Sequence, residues 1–378
     1  MSGRDCSAGN ELARAQEALA LHRASPEVSA TEYFNRISRE LAKEISSSIK
    51  IYLDSCYWVR LRDAQFGRAK SSADKEVLEL IRALVESGRA ICPVSDAAFI
   101  ELMQQTDSES RSQTAFLMDT LSRGVCLRTE QERVFLQLQR FMAVPHESGR
   151  IDLNLSWVRP AFVLGVRLPH HAGVPRAVDH LLQKVTIDLG SRLSFAEIAQ
   201  GGPVEGLADA MTRSANEVNS KLVEYASSIT SFEQAFRAEI SGAVKLYDAD
   251  LARSFLTEKQ MAITDENIEK FKASAQTLLF NLFRLRPELM VERLPTLFVH
   301  ASCHAAIRWD KKRRLNGHDV VDIHHACAAA GYCDVMLTEK PLKALMTSGK
   351  LNLHKRLNLA IAANAAEAVE FIESAVQD

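Results

Sequence analysis

The sequence predicts an α/β fold whose short parallel sheet is assembled from two separated stretches of chain, interrupted by an all-helical insertion. Three observations predict it. Strand-like apolar runs alternate with helical patterns between about 49 and 128, the alternation stops between about 130 and 295, and it resumes from about 296. The 378 residues therefore divide into a leading helical extension (1–48), a first α/β half (49–128), a helical insertion (129–295) and a second α/β half (296–378). That length exceeds one ordinary core and suits two domains or, in preference, one domain carrying a large insertion.

Taken in order, apolar residues at helical spacing (Leu12, Ala15 and Leu19, then Phe34, Ile37, Leu41 and Ile45) predict two leading helices, broken near Ser25 and Pro26. Ile49, Ile51, Tyr52 and Leu53 form a β-type run that stops at Asp54, and Glu76 to Val85 has amphipathic helical periodicity ending at Gly88. A second apolar run, Ala90 to Val94, leads through Ser95 into a helix holding Phe99, Ile100, Leu102 and Met103. In the insertion, Glu130 to Met142, Pro175 to Leu189, Val204 to Ile229, Phe232 to Phe255 and Asp265 to Leu285 read as helices. Turns are expected at Pro145, at Pro169 to Gly173 and at Gly201 to Pro203. The second half reads as helices Leu294 to Trp309 and Asp319 to Ala330, the strand Val335 to Leu337 and helix Pro341 to Met346. A short run, Leu351 to Leu353, and a last helix, Ala362 to Val376, complete it.

Composition narrows the function classes. Apolar residues make up 47% and charged residues 25%, enough to build a core and to exclude a disordered chain. The formal net charge of -2 excludes a generally basic coat, so a polyanion would need a local patch or bound metal ions. The cysteines (Cys6, Cys56, Cys92, Cys126, Cys303, Cys327 and Cys333) are odd in number and never form a CxxC pair. Reduced, mostly buried thiols in a cytoplasmic protein are expected. Met1 to Asn10 is polar, and no run approaches the roughly 18 apolar residues that a membrane helix needs.

In a parallel α/β sheet, ligands bind beyond the carboxyl ends of the strands, so acids there carry special weight. Asp54 closes its strand in IYLDSCYW; as a ligand it would meet a cation, and as an ordinary residue it would cap a helix. Glu101 lies in the helix after the second strand, among apolar residues, where it needs either a ligand or an ion-pair partner. Asp96, beside Ser95, reads as a helix cap. Asp319 and Asp322 stand one turn apart at a helix N-terminus, where the dipole favours negative charge; an N-capping pair is the alternative. Small residues (Ala326, Ala328, Ala329 and Ala330) then let this helix approach the sheet before Val335 to Leu337 runs to Thr338 and Glu339. Asp334 begins that strand, roughly 13 Å from its far end at about 3.3 Å per residue, and ranks below Glu339.

These residues resemble the PIN-like nucleases. The family pattern is a strand-ending Asp, a helical Glu after the second strand, an Asp opening a small-residue helix, and a Thr followed by acids after the next strand. Here Asp54, Glu101, Asp322 and Thr338-Glu339 occur in that order, and the sixteen-residue step from Asp322 to Thr338 fits the family. DIHHACAAAGYCDVMLTEK looks like a branch in which an extra acid, Asp319, precedes the main one. Lys340 stands where an acid is usual, and Glu339 is the candidate replacement. The resemblance covers 49–128 and 296–378 and implies a three-layer PIN-like domain. It also implies Mg²⁺ or Mn²⁺ held by Asp54, Glu101, Asp319, Asp322 and Glu339, with RNA ahead of DNA as substrate.

Such an oxygen-only cluster selects a hard ion, which would activate a water for in-line attack on a phosphodiester. Lys311, Lys312, Arg313 and Arg314 precede Asp319 and could grip flanking phosphates, or form an exposed turn; Thr338 and His325 are further substrate-contact candidates. His324, His325, His300 and His304 hint at zinc, yet no cysteine or third histidine falls at zinc spacing. Tyr52, Tyr57 and Trp58 read as core, with base stacking as the alternative. The expected function is a toxin-like, RNA-processing or phage-defence ribonuclease, with a homodimer or a regulatory partner conceivable through the insertion. The rival is a catalytically inactive PIN-like binding or regulatory subunit.

Overall fold

The computed structural model describes residues 14–143, 153–204, 229–310 and 316–377, with a few positions between 212 and 220. It is mostly helical around a four-stranded parallel sheet. A leading helix α1 (14–23) and α2 (Ala30–Glu44) precede β1 (Ile49–Leu53), α3 (Ser55–Gln65), α4 (Ser72–Glu86), β2 (Ala90–Ile91), α5 (Asp96–Gln104) and α6 (Ser108–Ser122). Then follow β3 (Cys126–Leu127), α7 (Glu130–Ala143), β4 (Trp157–Val158), α8 (Arg176–Gly190), α9 (Phe195–Ala199), α10 (Phe232–Glu258), α11 (Asp265–Leu285) and α12 (Pro287–Arg293). The chain ends with α13 (Pro295–Trp309), α14 (Gly317–Ala329), β5 (Val335–Leu337), α15 (Lys340–Thr347), α16 (Leu353–Arg356), β6 (Ala360–Ala362) and α17 (Ala365–Gln377).

The strand order is β2-β1-β5-β6, with Ile51, Tyr52 and Leu53 level with Val335, Met336 and Leu337. From β1 the chain steps outward to β2 on one side; from β5 it steps outward to β6 on the other. The order thus reverses between β1 and β5, the position where an open α/β sheet leaves a crevice beyond its carboxyl ends. Alternate strand residues enter two separate cores. Ile91, Tyr52, Met336 and Ile361 join one, which includes the apolar faces of α7, α10, α11, α13 and α14. Ala90, Ile51, Leu53, Val335, Leu337 and Ala362 join the other, against α3, α4, α5, α6 and α17. Helices therefore cover both faces of the sheet, as its near-continuous apolar strands require.

Two sequence expectations need correction. The insertion is not all-helical: Trp157 and Val158 pair antiparallel with Leu127 and Cys126, and Val94 bridges Cys126 at the edge of the main sheet. Buried Trp157 and Val158 precede Pro160, which opens a short 3-10 turn and holds Arg159 before it in extended conformation. Leu351 to Leu353 is no strand; Leu353 opens α16, and the fourth strand is Ala360–Ala362, whose alanines carry little β-propensity and gain their place by pairing with β5. The extension packs against the rest of the fold. α2 contributes to both cores, and Asp188 of α8 accepts from the Tyr33 hydroxyl and faces His22 Nε2 at 2.8 Å. Leu12, Pro145 and most of Val204 to Ile229 lie outside the described residues.

Gly331, just past the C-cap of α14, has φ +89°, and a Cβ there would stand 2.7 Å from Pro295 Cβ. Only glycine lets the chain turn from α14 toward β5 against the start of α13. Ala326, Ala328, Ala329 and Ala330 are fully buried, in keeping with the close approach that their size allows. Among the described residues no helix is long and apolar enough to cross a membrane, and the described cysteines form no disulfide.

Candidate active site

β1 ends because Asp54 turns the chain. Its ψ of 173° is extended, and its carboxylate accepts the Tyr57 N–H at 3.2 Å, capping α3. The capping role and burial coexist: Asp54 is only 5% exposed, at the carboxyl end of the central strand. The next residue, Ser55, donates its hydroxyl to Glu101 Oε2 on α5. His325 on α14 donates Nε2–H to the same oxygen at 2.8 Å, and its Nδ1 meets the Tyr52 hydroxyl at 2.5 Å. Tyr52 in turn lies 2.7 Å from Ser95 Oγ, which caps α5 by accepting from Ala98 N–H. One hydrogen-bonded line thus runs Ser55, Glu101, His325, Tyr52, Ser95, tying together α3, α5, α14 and β1. Both bonds to Glu101 fall on Oε2; Oε1 takes neither.

The electrostatics follow from this packing. Burial pushes Asp322 up to about 6; the charge of His325 opposes that, while those of Asp54, Asp319 and Glu101 add to it. Burial also acts to raise Glu101, but the His325 bond and charge and the Ser55 bond outweigh it and hold Glu101 below its usual range. Burial acts to lower His325, and the bond and charge of Glu101, with Asp54 and Asp322, raise it above the ordinary imidazole value. An imidazolium at His325 has both ring N–H groups engaged, toward Glu101 and Tyr52, leaving the phenol to donate to Ser95. Tyr52, held far above its ordinary value by burial, stays a phenol.

The charges of Asp54, Glu101 and Asp319, from three distant stretches, therefore all act on Asp322, yet no three of these four acids bring carboxylate oxygens within 4.8 Å of one another. Asp319 also closes a capping box, accepting Asn316 N–H at 2.9 Å, so the N-terminal capping alternative is present alongside the cluster. Glu339 is exposed and caps α15 without a side-chain bond; its charge acts on Cys56 at a cleft of about 640 Å³. That cleft, lined by Ser55, Cys56, Arg60, Thr338, Glu339 and Lys340, opens at the carboxyl ends of β1 and β5. Thr338 is buried there with no hydrogen-bond partner for Oγ1.

Other expected residues fall elsewhere. His325 is 2% exposed and cannot be a surface contact for substrate; it positions Glu101 instead. Tyr52, Tyr57 and Trp58 are buried in the core, which removes base stacking. Ser95, not Asp96, caps α5, and Asp96 accepts the Glu130 N–H at 3.1 Å. Asp334 sits at the far end of β5, where Oδ2 accepts Lys50 N–H at 2.7 Å. Lys311, Lys312, Arg313 and Arg314 lie outside the described residues. Sequence reasoning missed Ser55 and Ser95, for which adjacency to Asp54 and to the second strand was the only signal, and His318, whose charge reaches Glu101. Comparisons with protein-family models, with curated proteins and with solved structures found no match.

Proposed function

We propose that this chain is a metal-dependent endonuclease that hydrolyses phosphodiester bonds, in RNA ahead of DNA. One observation supports the reading: Glu101 is held by Ser55, the residue after strand-ending Asp54, and by His325 of α14, while the charges of Asp54, Asp319 and Glu101 all act on Asp322. The donor set has the chemistry for a hard cation, and its carboxylates would have to draw together around the ion. It is oxygen-only, which favours Mg²⁺ or Mn²⁺ over zinc, and a cation would return the raised Asp322 carboxyl to its ionised form. The buried, unpartnered Thr338 Oγ1 adds one more oxygen at the same edge.

Asp54, Glu101 and Asp322 would hold the ion, with Asp319 adding charge. When bound, the ion supplies Lewis acidity toward a phosphodiester and a water. His325 fixes one oxygen of Glu101 and leaves the other for the cation; until the cation arrives, the imidazolium offsets part of the acidic charge. Lys340, exposed on the cleft wall, presents positive charge to phosphates of a bound strand, whereas Arg60 beside it is paired with Asp74.

The test is cleavage of end-labelled single-stranded RNA and DNA by purified protein with Mg²⁺, Mn²⁺ or EDTA. Cleavage that needs metal and disappears in Asp54→Asn supports the reading. Metal-independent cleavage, or equal activity in the variant, contradicts it. Lys340, where the resembled family has an acid, favours a second reading as an inactive PIN-like binding subunit; RNA binding without cleavage under every metal condition would support that one.

A further inference from the structure

We infer a second metal site, of the zinc class, at Glu130, His300, His324 and Cys327, where α7, α13 and α14 meet. The buried Glu130 carboxylate takes one imidazole on each oxygen: His300 Nδ1 stands 2.6 Å from Oε1 and His324 Nδ1 stands 2.6 Å from Oε2. Cys327 lies one turn beyond His324 on α14, and ligand atoms of Glu130, His300 and Cys327 all fall within 4.8 Å of one another. Zinc bonds of about 2.0–2.3 Å place tetrahedral ligand atoms roughly 3.5 Å apart, so small side-chain adjustments close Glu130, His300 and Cys327 around an ion, with His324, on the other Glu130 oxygen, rotating in as the fourth ligand.

The mixture of donors decides the metal. Nitrogen, sulfur and one carboxylate suit Zn²⁺, whereas the oxygen-only cluster around Asp54 suits Mg²⁺ or Mn²⁺. The two imidazoles and the Cys327 thiol all meet on the Glu130 carboxylate, so the groups an ion would share are already gathered at one point. A cleft of about 260 Å³, lined by Glu130, His324 and Asp96 among others, provides an entry path. Asp96 Oδ1 is buried without a hydrogen-bond partner, and its other oxygen holds the Glu130 backbone in place. Binding would displace the thiol proton and any proton shared between Glu130 and the imidazoles to solvent.

With His324 as fourth ligand the ion has no open position, which makes this a structural site. It clamps the first helix of the insertion to α13 and α14, and so fixes the helix on which the neighbouring residue, His325, holds Glu101. The sequence hid it because the ligands are spread from 130 to 327 and none forms a short zinc motif.

The experiment is Co²⁺ titration of chelator-treated, reduced full-length protein, followed by absorption spectroscopy and Zn²⁺ competition. One Co²⁺ per chain with tetrahedral d–d bands and a thiolate charge-transfer band, displaced by Zn²⁺, is expected. Cys327→Ser should lose the charge-transfer band, His300→Gln should weaken Zn²⁺ by at least about 100-fold, and Asp54→Asn should leave the spectrum unchanged. If Cys327→Ser does not fold, His300→Gln and wild type alone decide. No tetrahedral Co²⁺ spectrum in wild type, or an unaltered spectrum in Cys327→Ser or unaltered Zn²⁺ affinity in His300→Gln, overturns the site.

Discussion

His325 donates Nε2–H to Glu101 Oε2 at 2.8 Å across 224 positions of sequence, and this contact joins the two halves of the α/β domain at its acidic edge. A buried polar line of this kind is stabilising only while every member is satisfied. Tyr52→Phe removes the hydroxyl between His325 and Ser95 and strands the Nδ1 side of the imidazole. Urea denaturation should show a loss of about 1–3 kcal/mol, the cost of an unsatisfied buried polar group. A variant as stable as wild type would mean that the line is not formed.

The acids themselves should behave in the opposite way. Asp322 is crowded by Asp54, Asp319 and Glu101, so Asp322→Asn relieves repulsion. Its melting temperature without metal should equal or exceed that of wild type, while nuclease activity falls by more than about 100-fold. Stability and activity moving together in Asp322→Asn would instead assign it a purely structural role.

Asp179 gives a pH dependence far from this edge. It accepts the His171 N–H at 2.9 Å, and His171 Nδ1 and His170 Nδ1 face its two oxygens at 2.9 and 2.8 Å. The backbone bond first, then the two imidazoles, hold its carboxyl below the ordinary value. A depressed carboxyl stabilises the fold above the free value of about 3.9, and that contribution disappears as pH falls toward the folded value. Thermal melts from pH 3 to 7 should show Asp179→Asn less stable than wild type near neutrality, with the gap closing below about pH 4. A gap that grows on acidification would contradict the assignment.

Gly331→Ala should destabilise the protein by at least about 1–3 kcal/mol, because φ is +89° and the new Cβ would meet Pro295. Equilibrium denaturation measures it directly; an unchanged midpoint would show that the α14–β5 turn relaxes freely.

Much of the candidate site was legible because its signals are local. A strand-ending Asp, a Glu within an apolar helix and an Asp before a run of alanines can each be read within ten residues of sequence, and the charges of Asp54 and Glu101 do reach Asp322. What stayed hidden is long-range. Ser55 and His325 look unremarkable alone, and their partnership with Glu101 exists only once α3, α5 and α14 pack together. The same holds for Glu130, whose partners His300 and His324 lie 170 and 194 positions away. Among the elements, β6 was masked by alanines that favour helix, and β4 by a segment too short to show alternation.

Binding of Mn²⁺, followed by electron paramagnetic resonance of free ion during titration, tests most directly whether the three acids share one cation. The account predicts a site that Mg²⁺ competes for and that is weakened by at least about 100-fold in Asp54→Asn and in Asp322→Asn, each still folded by circular dichroism. Mn²⁺ binding unchanged in both folded variants, or absent from wild type, would contradict it.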